Sequence, residues 1–301
     1  MRPRVLVTVG DPRGIGPEIV SKVLAAPPDV AEFVVLGPAE CVSGLDCDQI
    51  VVGDCGVGSD PLSLAPTEAG HLVGLQIKKA VSLALSGNVD AVVTGPAEKR
   101  AFQLAGYEYP GHTEWLGALS GVSETTMMLV VEKLKVVLMT THIALSEVPG
   151  AVTRDGVLRA ARHTENALKE WWGIGAPRLV VCAMNPHAGD GGLFGTEDEE
   201  ILAPAAREIG AAGPLPADTV FIKAMRGEYD AVLAPYHDVG MTAVKLAGFG
   251  TGVNVTLGLP FIRTAPDHGT ALDIAGKGIA DPGSMRQAVK LAAELAGRSR
   301  S

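Results

Sequence analysis

Aromatic residues are scarce in this chain, at 4% of 301 residues, whereas Gly, Ala and Val are abundant. That balance suits parallel strands layered with helices. Cysteine is also scarce. Cys41, Cys47, Cys55 and Cys182 contain no C-x-x-C pair, which argues against a zinc knuckle or redox motif and suits a reducing cytosol. Positive charge is in deficit, with 25 Lys and Arg against 34 Asp and Glu and a net charge of -9. This excess of negative charge argues against nucleic acid or an anionic membrane as partner, while leaving room for a local basic pocket that takes a small phosphate. No run reaches the roughly 18 apolar residues that span a bilayer. The opening MRPRVLVTVGDP is apolar only from Val5 to Val9, too short for a signal peptide, so a soluble cytoplasmic protein is expected. No linker, repeat or low-complexity segment is visible, and the length accommodates one large domain or two moderate ones.

What is present alternates strand with helix. Arg4 to Val9 reads as a buried strand, followed by GDPRGIGPE and a helix with Pro17 in its first turn, running to about Leu24. Short strands are expected at 34–36, 90–93, 178–183 and 231–234, and neighbouring strands at 127–131 and 135–140. Helices are expected at 67–86, 153–171, 197–209 and 282–295, the first with Leu72, Leu75, Val81 and Leu85 near multiples of a turn. The class is α/β. GDPRGIGPE has G-x-x-x-G-x-G spacing with no Lys-Ser/Thr pair after it, so it supports a tight strand-to-helix turn rather than a dinucleotide fingerprint or P-loop.

The richest segment runs from Tyr229 to Met285. A strand enters His237 and Asp238, and Lys245, Asn254, Arg263, Asp267, His268 and Asp273 follow among many glycines and prolines. Lys245, Asn254 and Arg263 are candidates to pair with phosphate or carboxylate oxygens. DHGTALDIAGKGIADP suits a loop that wraps a polar ligand with backbone groups. Four strands end in polar loops, TGPAEK, THIAL, NPHAG and PYHD. Ligands of α/β sheets bind outside the carboxyl ends of the strands, so these loops converge if their strands are parallel. An antiparallel pairing near 127–140 would weaken this for THIAL.

Seven histidines are present. His142, His187 and His237 each lie just past a strand. Their spacing is a weak metal signal: it fits loop histidines that cap strands, and it also allows three ligands of a catalytic divalent ion with open positions. Asp190 and Asp238 are placed to orient imidazoles. His71 and His163 fall within helices and read as structural or solvent-facing. His112 and Thr113 in GHTE fit an anion contact or a helix cap.

GDPRGIGPE, TGPAEK, GHTE, TTHIAL, NPHAGDGG, GPLPADTVF, YDAVLAPYHDVG and GFGTGVNVTLGLPFIRTAPDHGTALDIAGKG together resemble the 4-hydroxythreonine-4-phosphate dehydrogenases of pyridoxal phosphate biosynthesis, in order from residue 10 to about 279. The last loop also resembles the cofactor loop of isocitrate and isopropylmalate dehydrogenases. The resemblance implies two α/β/α domains around a central cleft, about 1–120 with 265–301 and 121–264. It implies a homodimer with the site near its interface, and zinc or another divalent ion (Mg, Co or Mn) on His142, His187 and His237 shared between subunits. Substrate contacts would fall to His112, Thr113, Lys245, Asn254 and Arg263. NAD or NADP would lie along Asp267, His268, Gly269, Thr270 and Asp273. Lys245 is the implied proton relay or anion contact, with Asp218 as the second acid/base candidate. The sequence departs from the family at Val239, where YHDVG replaces YHDQG, at the following Met241, Thr242 and Ala243, and at TTHIAL, which replaces THLPL. These changes bear on substrate identity, leaving phosphorylated sugar acids such as D-threonate or D-erythronate 4-phosphate as alternatives to 4-phosphohydroxy-L-threonine. A phosphate-metabolite transferase or binding protein on the same scaffold is the rival from another class.

Overall fold

The computed structural model describes residues 2–56, 58–109 and 111–299. The chain forms two compact units, Met1–Thr125 with Leu259–Ser301, and Thr126–Gly258. Both are α/β.

The first unit opens with β1 (Arg4–Thr8), α1 (Gly16–Leu24), β2 (Glu32–Gly37), α2 (Ala39–Val42) and β3 (Asp48–Val51). It continues with α3 (Pro66–Leu85), β4 (Ala91–Val93), α4 (Lys99–Leu104) and α5 (His112–Leu119). The end of the chain returns to it as β11 (Ile262–Pro266) and α11 (Gly283–Ser299). Its strands are all parallel, in the order β3-β2-β1-β4-β11. Val5, Leu6, Val7 and Val92 are inaccessible, because strands covered on both faces carry continuous apolar runs. In α3 the buried face is Leu72, Val73, Ile77, Ala80 and Val81, together with Gln76. Leu75 lies only partly buried and Leu85 is exposed, so half of the expected stripe faces elsewhere.

Gln76 has a specific task in this core. Its Oε1 accepts from Gly10 N at 3.0 Å and its Nε2 donates to Gly10 O at 2.9 Å. An amide on α3 thereby completes the backbone of the turn after β1, where buried groups would otherwise lack partners.

The second unit contains β5 (Thr126–Val131), β6 (Leu134–Leu138), α6 (Val148–Ala151), α7 (Arg154–Glu170) and β7 (Leu179–Cys182). A π-helical turn (Asp198–Leu202) leads into α8 (Ala203–Glu208), then β8 (Ala212–Leu215), α9 (Ala217–Met225), β9 (Ala231–Ala234), α10 (His237–Gly248) and β10 (Val253–Leu257). The strand order is β10-β5-β6-β9-β7-β8. The β5–β6 hairpin turns at Glu132 with φ 49. β6 is antiparallel to β5 yet parallel to β9, which is in turn parallel to β7. The loops THIAL, PYHD and NPHAG therefore leave the same edge of this sheet, and the hairpin does not divert THIAL. TGPAEK follows β4 and belongs to the first unit.

Of the two helical histidines, His71 faces solvent on α3, and His163 is structural, its Nδ1 2.9 Å from Thr126 Oγ1.

Candidate active site

The second unit brings two of the three candidate metal ligands together. The His142 and His237 rings have centroids 5.5 Å apart and planes at 44°. His237 opens α10, and its Nδ1 lies 2.7 Å from Asp238 Oδ1. A carboxylate only accepts, so this contact puts the proton on Nδ1 and presents the Nε2 lone pair, the tautomer a metal requires.

His187 is held differently. It sits in a left-handed turn in which His187, Ala188 and Asp190 have φ of 53, 60 and 46. Each such non-glycine residue costs on the order of 1 kcal/mol, so the turn needs external support. Buried Asp198 supplies it by accepting from Met184 N at 2.8 Å and Asn185 N at 2.9 Å. Asn185 Nδ2 donates to Glu197 Oε2 at 2.8 Å. His187 itself is exposed, with its ring 6.3 Å from that of Phe194. Among the described residues of one chain, no three His, Cys, Asp or Glu side chains are gathered to hold a metal ion. The donor chemistry of His142 and His237 fits a divalent ion, and one chain alone offers it this pair.

Lys245 lies further along α10, its Nζ 5.6 Å from the centroid of the Phe249 ring. Asn254 is half-buried on β10, opposite Leu129. Asp218 is exposed in the first turn of α9. With Asp238 and Val239 it lines a groove of about 600 Å³ whose other walls include Phe221, Met225 and Leu246. Val239 also packs against the core of this unit, so the change from the family's usual Gln places an apolar side chain between core and groove.

The first unit assembles a cationic pocket. Arg263 lies within parallel β11 and is only 3% exposed. It donates to Thr94 Oγ1 through Nη2 at 2.6 Å and through Nε at 3.2 Å. Burial pulls its pKa down to about 10, and Glu114 in the first turn of α5 opposes that shift. His112 begins α5, where Phe102 meets its ring edge-on at 5.3 Å. Burial, reinforced by the Arg263 charge, pushes the His112 pKa down to about 3 and keeps the ring neutral. Its Nε2 is shielded and has no hydrogen-bond partner among the described residues. Buried polar atoms are nearly always satisfied, and a shielded nitrogen under the influence of a buried guanidinium fits an anionic ligand. Thr113 follows within the helix rather than capping it; the N-cap is Gly111, which makes no side-chain bond.

The loop after β11 carries the proposed nucleotide contacts. Asp267 N donates to Ser284 Oγ at 3.1 Å, and His268 Nδ1 lies 3.0 Å from Gly269 O. His268 Nε2 is a second shielded atom without a partner among the described residues, and a polar ligand fits it. Ile15 N donates to Thr270 O at 2.9 Å. This approach requires glycine at position 14, where a Cβ would lie 2.8 Å from the Thr270 carbonyl oxygen. Asp273 is exposed further along the loop.

Sequence reasoning missed the network beneath this edge. Arg13 bonds Asp11 Oδ1 through Nε at 3.1 Å, and Asp11 Oδ2 and Glu98 Oε2 through Nη2, each at 2.8 Å. The D-P-R of GDPRG hinted at a local pair, but Glu98 is remote in sequence. The network ties GDPRG to TGPAEK.

The model of the family "Pyridoxal phosphate biosynthetic protein PdxA" matches residues 36–292. A 4-hydroxythreonine-4-phosphate dehydrogenase of Geobacter metallireducens is 43% identical, over 98% of this chain and 96% of its own. A D-threonate 4-phosphate dehydrogenase of Pectobacterium atrosepticum is 40% identical, over 97% and 99%. The crystal structure of a Klebsiella pneumoniae 4-hydroxythreonine-4-phosphate dehydrogenase superposes with a TM-score of 0.86 at 40% identity, covering 99% of each chain. A likeness in fold alone extends to an isocitrate dehydrogenase of Methylococcus capsulatus, with a TM-score of 0.53 at 18% identity. The chain belongs to the PdxA family of pyridoxal phosphate biosynthetic proteins, among dehydrogenases acting on a CH–OH group.

Proposed function

We propose that the protein oxidises 4-phosphohydroxy-L-threonine to a 3-oxo acid that loses carbon dioxide to give 3-amino-2-oxopropyl phosphate, in pyridoxal 5'-phosphate biosynthesis. The observation that carries the reading is the buried charge of Arg263, which acts on His112, together with the shielded Nε2 of His112, which has no hydrogen-bond partner among the described residues. A phosphate or carboxylate would meet the charge of the guanidinium and accept one N–H from neutral His112, with no second buried cation. Thr113, Lys245 and Asn254 complete the substrate contacts.

Asp267, His268, Gly269, Thr270 and Asp273 would hold a nicotinamide nucleotide, NAD or NADP, which would supply the hydride acceptor. His142, His187 and His237, drawn from two copies of the chain, would hold a divalent ion such as zinc, which would supply Lewis acidity at the reacting hydroxyl. Asp238 fixes the His237 tautomer for that task. Lys245 relays the hydroxyl proton or contacts the substrate anion, and Asp218 is the alternative acid/base. Loss of carbon dioxide leaves its electron pair at the α-carbon, where a proton replaces it.

The protein acts as a cytoplasmic homodimer. Leu246 and Phe249, each 84% exposed at the end of α10, are the kind of apolar surface a second copy covers.

A second reading, oxidation of D-threonate or D-erythronate 4-phosphate, is favoured by Val239 and by the Pectobacterium relative at nearly the same identity as the Geobacter one. NADH formation by the metal-reconstituted protein, with the three phosphorylated substrates side by side, separates the readings. Preference for the amino acid supports the first and preference for a sugar acid the second. Absence of turnover with all three, despite bound metal and nucleotide, overturns both and favours a transferase or binding protein.

A further inference from the structure

The loop from Thr270 to Ala280 is fastened to a single helix at both of its ends. At the start of α1, Ile15 N donates to Thr270 O at 2.9 Å. Farther along the same helix, Glu18 Oε1 accepts from Ala280 N at 2.9 Å. Lys22 Nζ donates to Gly278 O at 2.9 Å, to Ala280 O at 2.8 Å and to Glu18 Oε1 at 2.7 Å. One ammonium thus uses its three donors on two loop carbonyls and the carboxylate that holds the intervening amide. The Lys22 contact holds the Glu18 carboxyl below the usual carboxylate range.

Between these attachments the chain has only short internal turns, from Ile274 N to Ala271 O and from Lys277 N to Ile274 O. Leu272, Asp273, Gly276 and Lys277 are exposed. The span from Ile15 to Lys22 measures roughly 10 Å along a helix axis, and a helix is stiff over that length. α1 therefore fixes the separation of the two loop ends. A second tie holds the same helix to the element after the loop: Arg286 of α11 donates to Ala26 O at 3.3 Å and Lys22 O at 3.4 Å.

We infer that Glu18 and Lys22 are positioning residues for the nicotinamide nucleotide, acting through the Gly278–Ala280 end of the loop without touching the cofactor. The inference rests on the proposed assignment of that loop to NAD or NADP. Releasing this end leaves the loop tethered only at Thr270, so nucleotide binding has to order the segment and loses affinity, while the bound geometry at the reacting carbon is retained.

The test compares wild type with Lys22→Met, Glu18→Gln and Lys22→Arg in the intact, metal-reconstituted protein. Direct titration with NADH and with NADPH is combined with steady-state kinetics and with hydrogen exchange on peptides covering 267–281. Lys22→Met is expected to weaken nucleotide binding and raise its KM by about tenfold, in line with the loss of charge-assisted bonds. The kcat should change less than about twofold if only ordering is affected. Exchange should accelerate within 276–281 and not across β1 or β4. Lys22→Arg, which keeps the charge and several donors, should recover most of the affinity, and Glu18→Gln should fall between. Lys22→Met with wild-type nucleotide affinity and unchanged loop exchange overturns the inference. So does a loss in Lys22→Met confined to kcat. If Lys22→Met does not fold, Glu18→Gln carries the test on the same criteria. A wild type that binds neither nucleotide overturns the loop assignment itself, and the inference with it.

Discussion

His142 and His237 come ring to ring, with centroids 5.5 Å apart, because β6 and β9 are adjacent and parallel and each histidine follows its strand at the same sheet edge. Asp238 fixes one imidazole of this pair through a 2.7 Å contact. Replacing either histidine by Ala should abolish tight zinc binding and lower turnover by at least about a hundredfold, as expected when a catalytic ion loses a ligand. Asp238→Asn should weaken metal affinity by about 10–100-fold through the tautomer alone. Metal titration by calorimetry, with kinetics on the same samples, checks both. Full activity in the Ala variants at 142, 187 and 237 would remove the metal assignment.

Arg263 and His112 should separate binding of the phosphorylated group from the redox step. Arg263→Met removes the buried charge that would face the anion, and kcat/KM for the phosphorylated substrate should fall by roughly a hundredfold or more, the scale of a buried charge-assisted pair. His112→Gln, which keeps an N–H donor, should lose less. Isothermal titration with inorganic phosphate gives an independent reading: wild-type affinity in Arg263→Met would place the anion elsewhere.

His112 also makes a prediction about pH. Its folded-state pKa lies near 3, below the ordinary value of 6.5, because the ring is buried beside Arg263. Between those two values the unfolded chain binds the extra proton and the folded chain does not, so stability rises with pH there. The contribution is fully present above about 6.5 and is lost as pH falls toward 3. Urea midpoints measured from pH 7 down to pH 4.5 should decline, and His112→Gln should decline less steeply. Parallel curves for the two proteins would show that His112 does not titrate on unfolding.

Most of the site was legible as chemistry and little of it as placement. The histidines of THIAL, NPHAG and PYHD could be named because a polar residue after an apolar run is a local signal. That THIAL leaves the same edge as PYHD could not be read, since it depends on β6 pairing antiparallel with β5 and parallel with β9. Arg263 was visible as a charge, but its burial within β11 reverses the ordinary expectation for arginine in a glycine-rich segment. The Gln76–Gly10 contact and the reach of Arg13 to Glu98 left no local trace, because those partners are remote in sequence.

Gln76 can be tested on its own. Gln76→Leu fits an apolar helix face and removes both bonds to Gly10. It leaves a buried N–H and C=O unpaired, a loss of about 2–4 kcal/mol at roughly 1–2 per group. The change should appear as a lower urea midpoint at unchanged m-value. Unaltered stability would mean that water enters the turn and replaces the amide.

The metal pair and the dimer should fail together. One chain gathers His142 and His237 but no third ligand among the described residues, while Leu246 and Phe249 remain 84% exposed beside the groove between α9 and α10. If a partner covers that surface and contributes the missing histidine, charge placed there breaks both. Leu246→Asp and Phe249→Asp should shift the protein from dimer to monomer by light scattering. Neither residue is a ligand, yet zinc affinity should fall along with the dimer fraction. Dilution of the wild type should release metal over the same concentration range in which the dimer dissociates. A monomer that keeps tight zinc would assign all the ligands to one chain, and a dimer unaffected by both substitutions would move the interface away from α10.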